Sequence, residues 1–66
     1  MDNDQARYKI ALAAAEQLTG SRQRAEIWLR GYVRALDAKP VDLLESDGGL
    51  EAVLTVIGRL EHGIIT

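Results

Sequence analysis

Few residues of this 66-residue chain have the type and spacing that catalysis or metal binding needs. His62 is the one histidine, and a general base in so short a chain would need a site shared with a partner. Asp42 and Glu45 are a pair of carboxylates of the kind that is common on an exposed helix face. Asp47-Gly48-Gly49 lacks the spacing of a phosphate-binding loop. Without cysteine, thiolate metal sites and disulfides are excluded. We therefore predict a protein that is not an enzyme and holds no metal or cofactor.

Arginines form the second group of chemically distinctive residues, because four of them fall within thirteen positions. On a helical wheel, Arg24, Ile27, Arg30 and Arg34 share a side that points away from the predicted core. This cluster is typical of a solvated helix face, but it also fits a nucleic-acid or partner face with Ile27 as an exposed contact. The net charge of −2 and the pI of about 5.2 disfavour a general DNA or membrane binder.

The composition indicates a folded domain without a membrane span. Hydrophobic residues make up 47% of the chain and charged residues 27%, which argues against disorder. No apolar run approaches the ~20 residues of a membrane-spanning helix, and the acidic first residues do not begin a signal peptide. We expect a single soluble domain in the cytoplasm. Because so short a chain has a marginal core, tight helix packing or a partner must contribute to its stability.

Four helices must position these residues, and no strand pattern occurs. The first is predicted over 4–19, the second from its N-cap Ser21 to about Gly31, and a short third helix from Pro40. The last is predicted over 49–61, where apolar residues recur at helical spacing. The fold class is therefore all-α: a small compact bundle of about four helices, two longer and two short.

The predicted core is arranged around Trp28, because an aromatic side chain buries a large area in a small helical domain. On the second helix we expect Ala25, Leu29 and Tyr32 to face inward with it. The predicted core residues are Trp28, Leu29, Leu36, Pro40, Leu43, Leu44, Leu50, Val53, Leu54, Ile57 and Leu60.

The first helix carries two stripes. Tyr8, Ala11, Leu12, Ala15 and Leu18 form the apolar face that we expect to pack inward. Small residues dominate the other stripe, which is either plain helix surface or a second packing face for a partner chain or a homodimer. That stripe consists of Ile10, Ala13, Ala14 and Gln17.

Five segments in order resemble the toxin-binding domain of the Xre/MbcA/ParS family of antitoxins. They are Ala25-Glu26-Ile27-Trp28-Leu29, Ala35-Leu36, Pro40-Val41-Asp42-Leu43-Leu44-Glu45-Ser46, Gly49-Leu50-Glu51-Ala52-Val53 and Gly58-Arg59-Leu60-Glu61-His62-Gly63. Members of that family typically read A-x-x-W-L, a leucine before a small loop, P-x-x-L-L, G-x-x-x-V and G-R-[IL]-x-x-G. The resemblance extends over about residues 17–66.

The resemblance implies the antitoxin of a bacterial type II toxin–antitoxin system. Its partner would be a RES-domain toxin, a class that consumes or transfers from NAD, and the end of the antitoxin would block the NAD pocket of that toxin. It also implies a division into an N-terminal helix, 1–20, and a toxin-binding helical domain, 21–66, within one compact unit. The implied toxin-binding residues are Arg59, Glu61, His62, Gly63, Ile64, Ile65 and Thr66.

The chain departs from the family pattern at three places. Gly31-Tyr32 stands where Pro-Asn is common, and Asp37-Ala38 where Gly-Gly is common, so we expect a different loop geometry there. Family members usually carry an N-terminal helix-turn-helix domain, and only about 20 residues precede the shared region here. We therefore do not expect this chain to bind DNA directly by such a domain.

Two other functions stay open at this stage. A helical homodimer would pair the outer stripe of the first helix or Ile27 across a two-fold axis. A nucleic-acid-associated regulatory module would use the face formed by Arg22, Arg24, Arg30 and Arg34.

Overall fold

The computed structural model describes residues 3–63, which form four helices and no strand. They are α1 (Asn3–Thr19), α2 (Arg22–Arg30), α3 (Pro40–Leu43) and α4 (Asp47–Gly63). The all-α prediction is confirmed. Within this part of the chain, no helix is both long enough and apolar enough to cross a membrane.

A tight corner joins α1 to α2. Gly20 has a φ of 91°, a left-handed conformation that glycine adopts at little cost, and its N–H donates to the Glu16 carbonyl at 2.8 Å. Ser21 then caps α2, because its hydroxyl accepts a hydrogen bond from the Arg24 N–H at 3.1 Å. The corner folds α2 back against α1, and the predicted N-cap is confirmed.

The segment between α2 and α3 is a small turn closed by one antiparallel bridge. The Val33 N–H donates to the Ala38 carbonyl at 3.0 Å, and Asp37 adopts a left-handed φ of 54°. The Tyr32 hydroxyl donates to Asp37 Oδ1 at 2.6 Å. Tyr32 is 63% exposed, so its predicted inward position is wrong. The reason is that Gly31 already has an extended backbone, which breaks the helical periodicity before Tyr32.

Helix α4 begins two residues before the predicted start. The Ser46 hydroxyl accepts from the Gly49 N–H and its carbonyl accepts from the Leu50 N–H, both at 3.0 Å, so Ser46 is the N-cap. Gly49 therefore lies inside the first turn of α4, where a Cβ would overlap the carbonyl oxygen of Leu43 in α3. The glycine lets α3 and α4 meet at this point.

Small and aliphatic side chains form the centre of the core. Because alanines lie where α1 meets α2, these two helices can approach closely. Trp28 is only partly buried and packs against this centre from the side, which corrects the prediction of a core built around its indole. The fully or nearly fully buried apolar residues are Ala11, Ala15, Ala25, Leu29, Pro40, Leu44, Val53 and Ile57.

The other predicted core residues lie nearer the surface. Leu36, Leu43, Leu50 and Leu54 are partly buried. Leu60 is 38% exposed, so its assignment to the core is wrong. It lies near the end of α4, beside the turn that contains Leu36, and no other described element covers it.

Candidate functional site

The residues predicted to bind a partner lie at the end of α4. Arg59, Glu61 and His62 are all exposed on its last turns, and α4 ends at Gly63. The remaining predicted residues, Ile64, Ile65 and Thr66, lie outside the described residues. The structure therefore brings three polar side chains to one end of the molecule, directly before the predicted apolar segment.

A groove runs along α4 from this end, and we call it the α4 groove. The turn between α2 and α3 forms one wall of it and α4 forms the other. It has a volume of about 570 Å³. Its lining residues are Ala35, Leu36, Gly48, Glu51, Ala52, Thr55, Val56, Arg59 and Leu60.

Two rows of α4 residues line the groove, each with a spacing of four residues. Ala52, Val56 and Leu60 form an apolar row, and next to it runs a polar row that includes Glu51 and Arg59. These two charged residues are eight positions apart, which is about 12 Å along a helix. Neither forms an ion pair with any described residue. The groove therefore has an apolar floor with an acidic group near one end and a basic group near the other.

The prediction from sequence did not find this groove. The core row of α4, from Leu50 to Ile57, dominated the hydrophobic pattern, and Leu60 was assigned to it. The second apolar row, Ala52, Val56 and Leu60, was the signal that could have indicated another face.

Gly58 is a half-buried glycine within α4. Glycine inside a helix costs about 1 kcal/mol relative to alanine. A Cβ at Gly58 would have no heavy atom within 4 Å outside its own local helix backbone, so no close contact in the described residues requires a glycine here. Its row continues to Thr55 on one side and His62 on the other, beside the polar edge of the α4 groove.

Most of the arginine face lies on α2. Arg24, Arg30 and Arg34 are exposed, and Ile27 between them is 67% exposed. Arg22 behaves differently, because its guanidinium donates to Glu16 Oε2 at 2.8 Å and this hydrogen bond raises the pKa of Arg22. Arg24, Ile27 and Arg30 share one side of α2, whereas Arg34 lies in the turn after α2 ends at Arg30, so the predicted wheel position of Arg34 is wrong. Whether they bind a nucleic acid or a protein stays a hypothesis.

Two further grooves border α1. One, of about 420 Å³, lies between α1 and α3 and includes Tyr8 and Val41, and the other, of about 430 Å³, extends from Tyr8 to Arg22.

Among residues 3–63, no three histidine or acidic side chains come together as metal ligands would. The tyrosine hydroxyl at position 32 has a raised pKa, because it donates a hydrogen bond to Asp37. The described residues therefore present binding surfaces, and the α4 groove is the one that joins the predicted site.

Comparison with known proteins identifies a family and a relative to which this chain is similar. Residues 14–63 match the family described as the antitoxin Xre/MbcA/ParS C-terminal toxin-binding domain. A protein from Photorhabdus laumondii subsp. laumondii named "Antitoxin Xre" is 32% identical over 54 residues, which are 80% of this chain and 36% of that protein. The chain thus spans about a third of the length of that relative. No solved structure gives a significant match.

Proposed function

The chain belongs to the Xre/MbcA/ParS antitoxin family through the C-terminal toxin-binding domain, and on that premise we propose that it neutralises a RES-domain toxin that consumes NAD. Toxin binding by an antitoxin domain needs an exposed protein surface and no catalytic group. The proposal adds to this the class of toxin and the way in which it is inhibited. It also implies that the chain acts in the cytoplasm, where such a toxin would meet NAD.

The exposed end of α4 carries the proposal. Arg59, Glu61 and His62 are exposed there, and they immediately precede Gly63 at the end of the helix. In our proposal these side chains contact the toxin beside its NAD pocket. Residues 63–66 then enter the pocket and occupy the space of the nucleotide.

The chemistry of the terminal residues fits this role. Ile64 and Ile65 are β-branched apolar residues. Their transfer from water into an interface with a partner would lower the free energy of the complex. In this way one short segment would supply apolar burial inside the toxin.

The test is to produce the protein encoded beside this chain and to measure its consumption of NAD with increasing amounts of the full chain. We expect inhibition that is complete near a stoichiometric ratio. Deletion of residues 64–66 should abolish inhibition, because the NAD pocket is then left open.

The control is Gln23→Ala, which removes an exposed side chain from α2 that belongs neither to the arginine face nor to the proposed site. It should inhibit like the original chain. If the deletion variant inhibits fully while its circular dichroism spectrum is unchanged, the blocking role of residues 64–66 is wrong. If the original chain does not inhibit, the RES-domain toxin is not its partner.

A further inference from the structure

The apolar row of the α4 groove is uncovered at the end where α4 finishes. Leu60 is 38% exposed there, beside Ala35 and Leu36 of the turn between α2 and α3. Val56, one helical turn earlier in the row, is half-buried. The largest exposed side chain of the row therefore lies next to the point where the chain continues into residue 64.

The sequence continues this row beyond the last described residue. Ala52, Val56 and Leu60 are spaced by four positions, and the next position in that series is Ile64. Side chains four positions apart lie on one face of a helix, and each leans towards the turn that precedes it. One more helical residue after Gly63 would thus direct the side chain of Ile64 onto Leu60.

The length of the segment limits where residues 64–66 can pack. Leu60 and Gly63 are three residues apart, which is about 4.5 Å along a helix, and three extended residues reach about 10 Å. The groove that includes Val41 and Leu44 lies beside the start of α4, about 25 Å from its end. The end of the α4 groove is within reach of the segment, whereas that second groove is not.

We propose that in the free chain Ile64 and Ile65 cover the end of the α4 groove, with Ile64 packed on Leu60 and Leu36. The contact removes apolar side chains from water on both sides and leaves no polar group without a hydrogen bond. It is a property of the chain without a partner, and it therefore goes beyond the proposed function.

The contact has a consequence for the inhibition of a toxin. Under the proposed function, residues 63–66 enter the NAD pocket, so Ile64 must first leave Leu60. The free chain then has a closed state, in which Ile64 covers the groove, and an open state that binds the toxin. The apparent affinity is reduced in proportion to the fraction of the chain that is open.

A double-mutant cycle on the free, full-length chain tests the contact. The first change, Ile64→Ser with Ile65→Ser, removes the apolar side chains and keeps the length of the chain. The second, Leu60→Ala, removes their partner and keeps a residue that favours helix. The control cycle uses Ile27→Ala in place of Leu60→Ala, because Ile27 is an exposed isoleucine on α2 that does not line the groove.

The melting temperature of each variant is measured by circular dichroism. We expect the serine pair to lower it by about 4–8 °C in the original chain, as the loss of one apolar contact does in a domain of this length. In the Leu60→Ala background the same pair should lower it by less than half as much, because the contact is already lost. In the Ile27→Ala background the full effect should persist. An equal effect in all three backgrounds would overturn the inference.

A second measurement applies if Leu60→Ala is unfolded. In the original chain with labelled methyl groups, we expect a nuclear Overhauser effect between the methyl groups of Leu60 and those of Ile64, and its absence would overturn the inference. Neither experiment contains a toxin. Failure of the self-contact thus leaves the proposed function standing, and a lack of toxin inhibition leaves the self-contact standing.

Discussion

At the scale of single residues, three glycines of this chain differ in what the fold requires of them. Gly20 provides a left-handed φ at the corner between α1 and α2. Gly49 provides space, because α3 passes where its Cβ would be. Gly58 does neither within the described residues, where a Cβ would meet nothing within 4 Å. Sequence alone does not distinguish these roles, since all three read as breaks in helical patterns.

The role of Gly49 leads to a stability prediction. Gly49→Ala should lower the free energy of unfolding by about 1–3 kcal/mol, because the added methyl group forces α3 and α4 apart. Gly48→Ala, one position earlier, should range from no change to a gain of about 1 kcal/mol, because a Cβ there has nothing within 4 Å. Urea unfolding followed by circular dichroism measures both values. Equal effects of the two substitutions would contradict the close contact between Gly49 and Leu43.

At the scale of elements, Arg7 connects α1 to the junction of α3 and α4. Its Nε donates to Asp47 Oδ1 at 3.0 Å, in the first turn of α4, and its Nη1 donates to the Leu44 carbonyl at 3.4 Å, after α3. The Arg7 side chain is 13% exposed, whereas that of Asp47 is 93% exposed. The connection therefore depends more on the buried arginine than on the solvated carboxylate.

Arg7→Ala should consequently destabilise the fold by about 1–2 kcal/mol, because the Leu44 carbonyl loses a donor and the stem of the arginine no longer packs. Asp47→Asn should cost less than Arg7→Ala, since its carboxylate is mostly in water. The control is Arg24→Ala on the exposed side of α2, where we expect a change within about 0.5 kcal/mol. Thermal melting of the three variants makes the comparison, and a larger loss for Arg24 than for Arg7 would contradict it.

The elements themselves were largely predictable, because local signals set their ends. Ser21 marks the start of α2, Pro40 marks the start of α3, and the glycine at position 20 marks the corner. Positions that depend on contacts between elements were not predictable. Tyr32 lies outside the core because the backbone of Gly31 is extended. Leu60 is exposed because no other described element covers it.

The candidate site likewise has one part that the sequence predicted and one part that it did not. The exposure of Arg59, Glu61 and His62 at the end of α4 follows from helical periodicity, and the structure agrees with it. The α4 groove exists only because the turn with Ala35 and Leu36 folds against α4. No spacing within one helix records where a distant turn will lie, so the groove required the structure.

At the scale of the whole molecule, α1 is part of the core and not an appendage to it. Ala11 and Ala15 are fully buried, and the corner at Gly20 holds α1 against α2. The matched family region begins at residue 14, inside α1, so several residues that complete this core precede it. The family domain in this chain is therefore supported by residues that lie before the family pattern.

A chain that begins at residue 21 should accordingly be unfolded, because removal of α1 exposes Leu29, Val53 and Ile57 and leaves a core too small to be stable. Circular dichroism and thermal melting of residues 21–66 measure this directly. We expect low helicity and no cooperative transition. A cooperative transition near that of the full chain would mean that residues 1–20 are not needed for the fold.

The hydrogen bond between Tyr32 and Asp37 constrains the order in which this turn can change during evolution. Asp37 holds a left-handed backbone that glycine adopts more cheaply, and the hydroxyl of Tyr32 anchors the aspartate in that conformation. An ancestor with glycine at position 37 would lose stability by acquiring the aspartate first, but would lose less if the tyrosine were already present. We therefore expect the two positions to be epistatic, with Tyr32 acquired before Asp37.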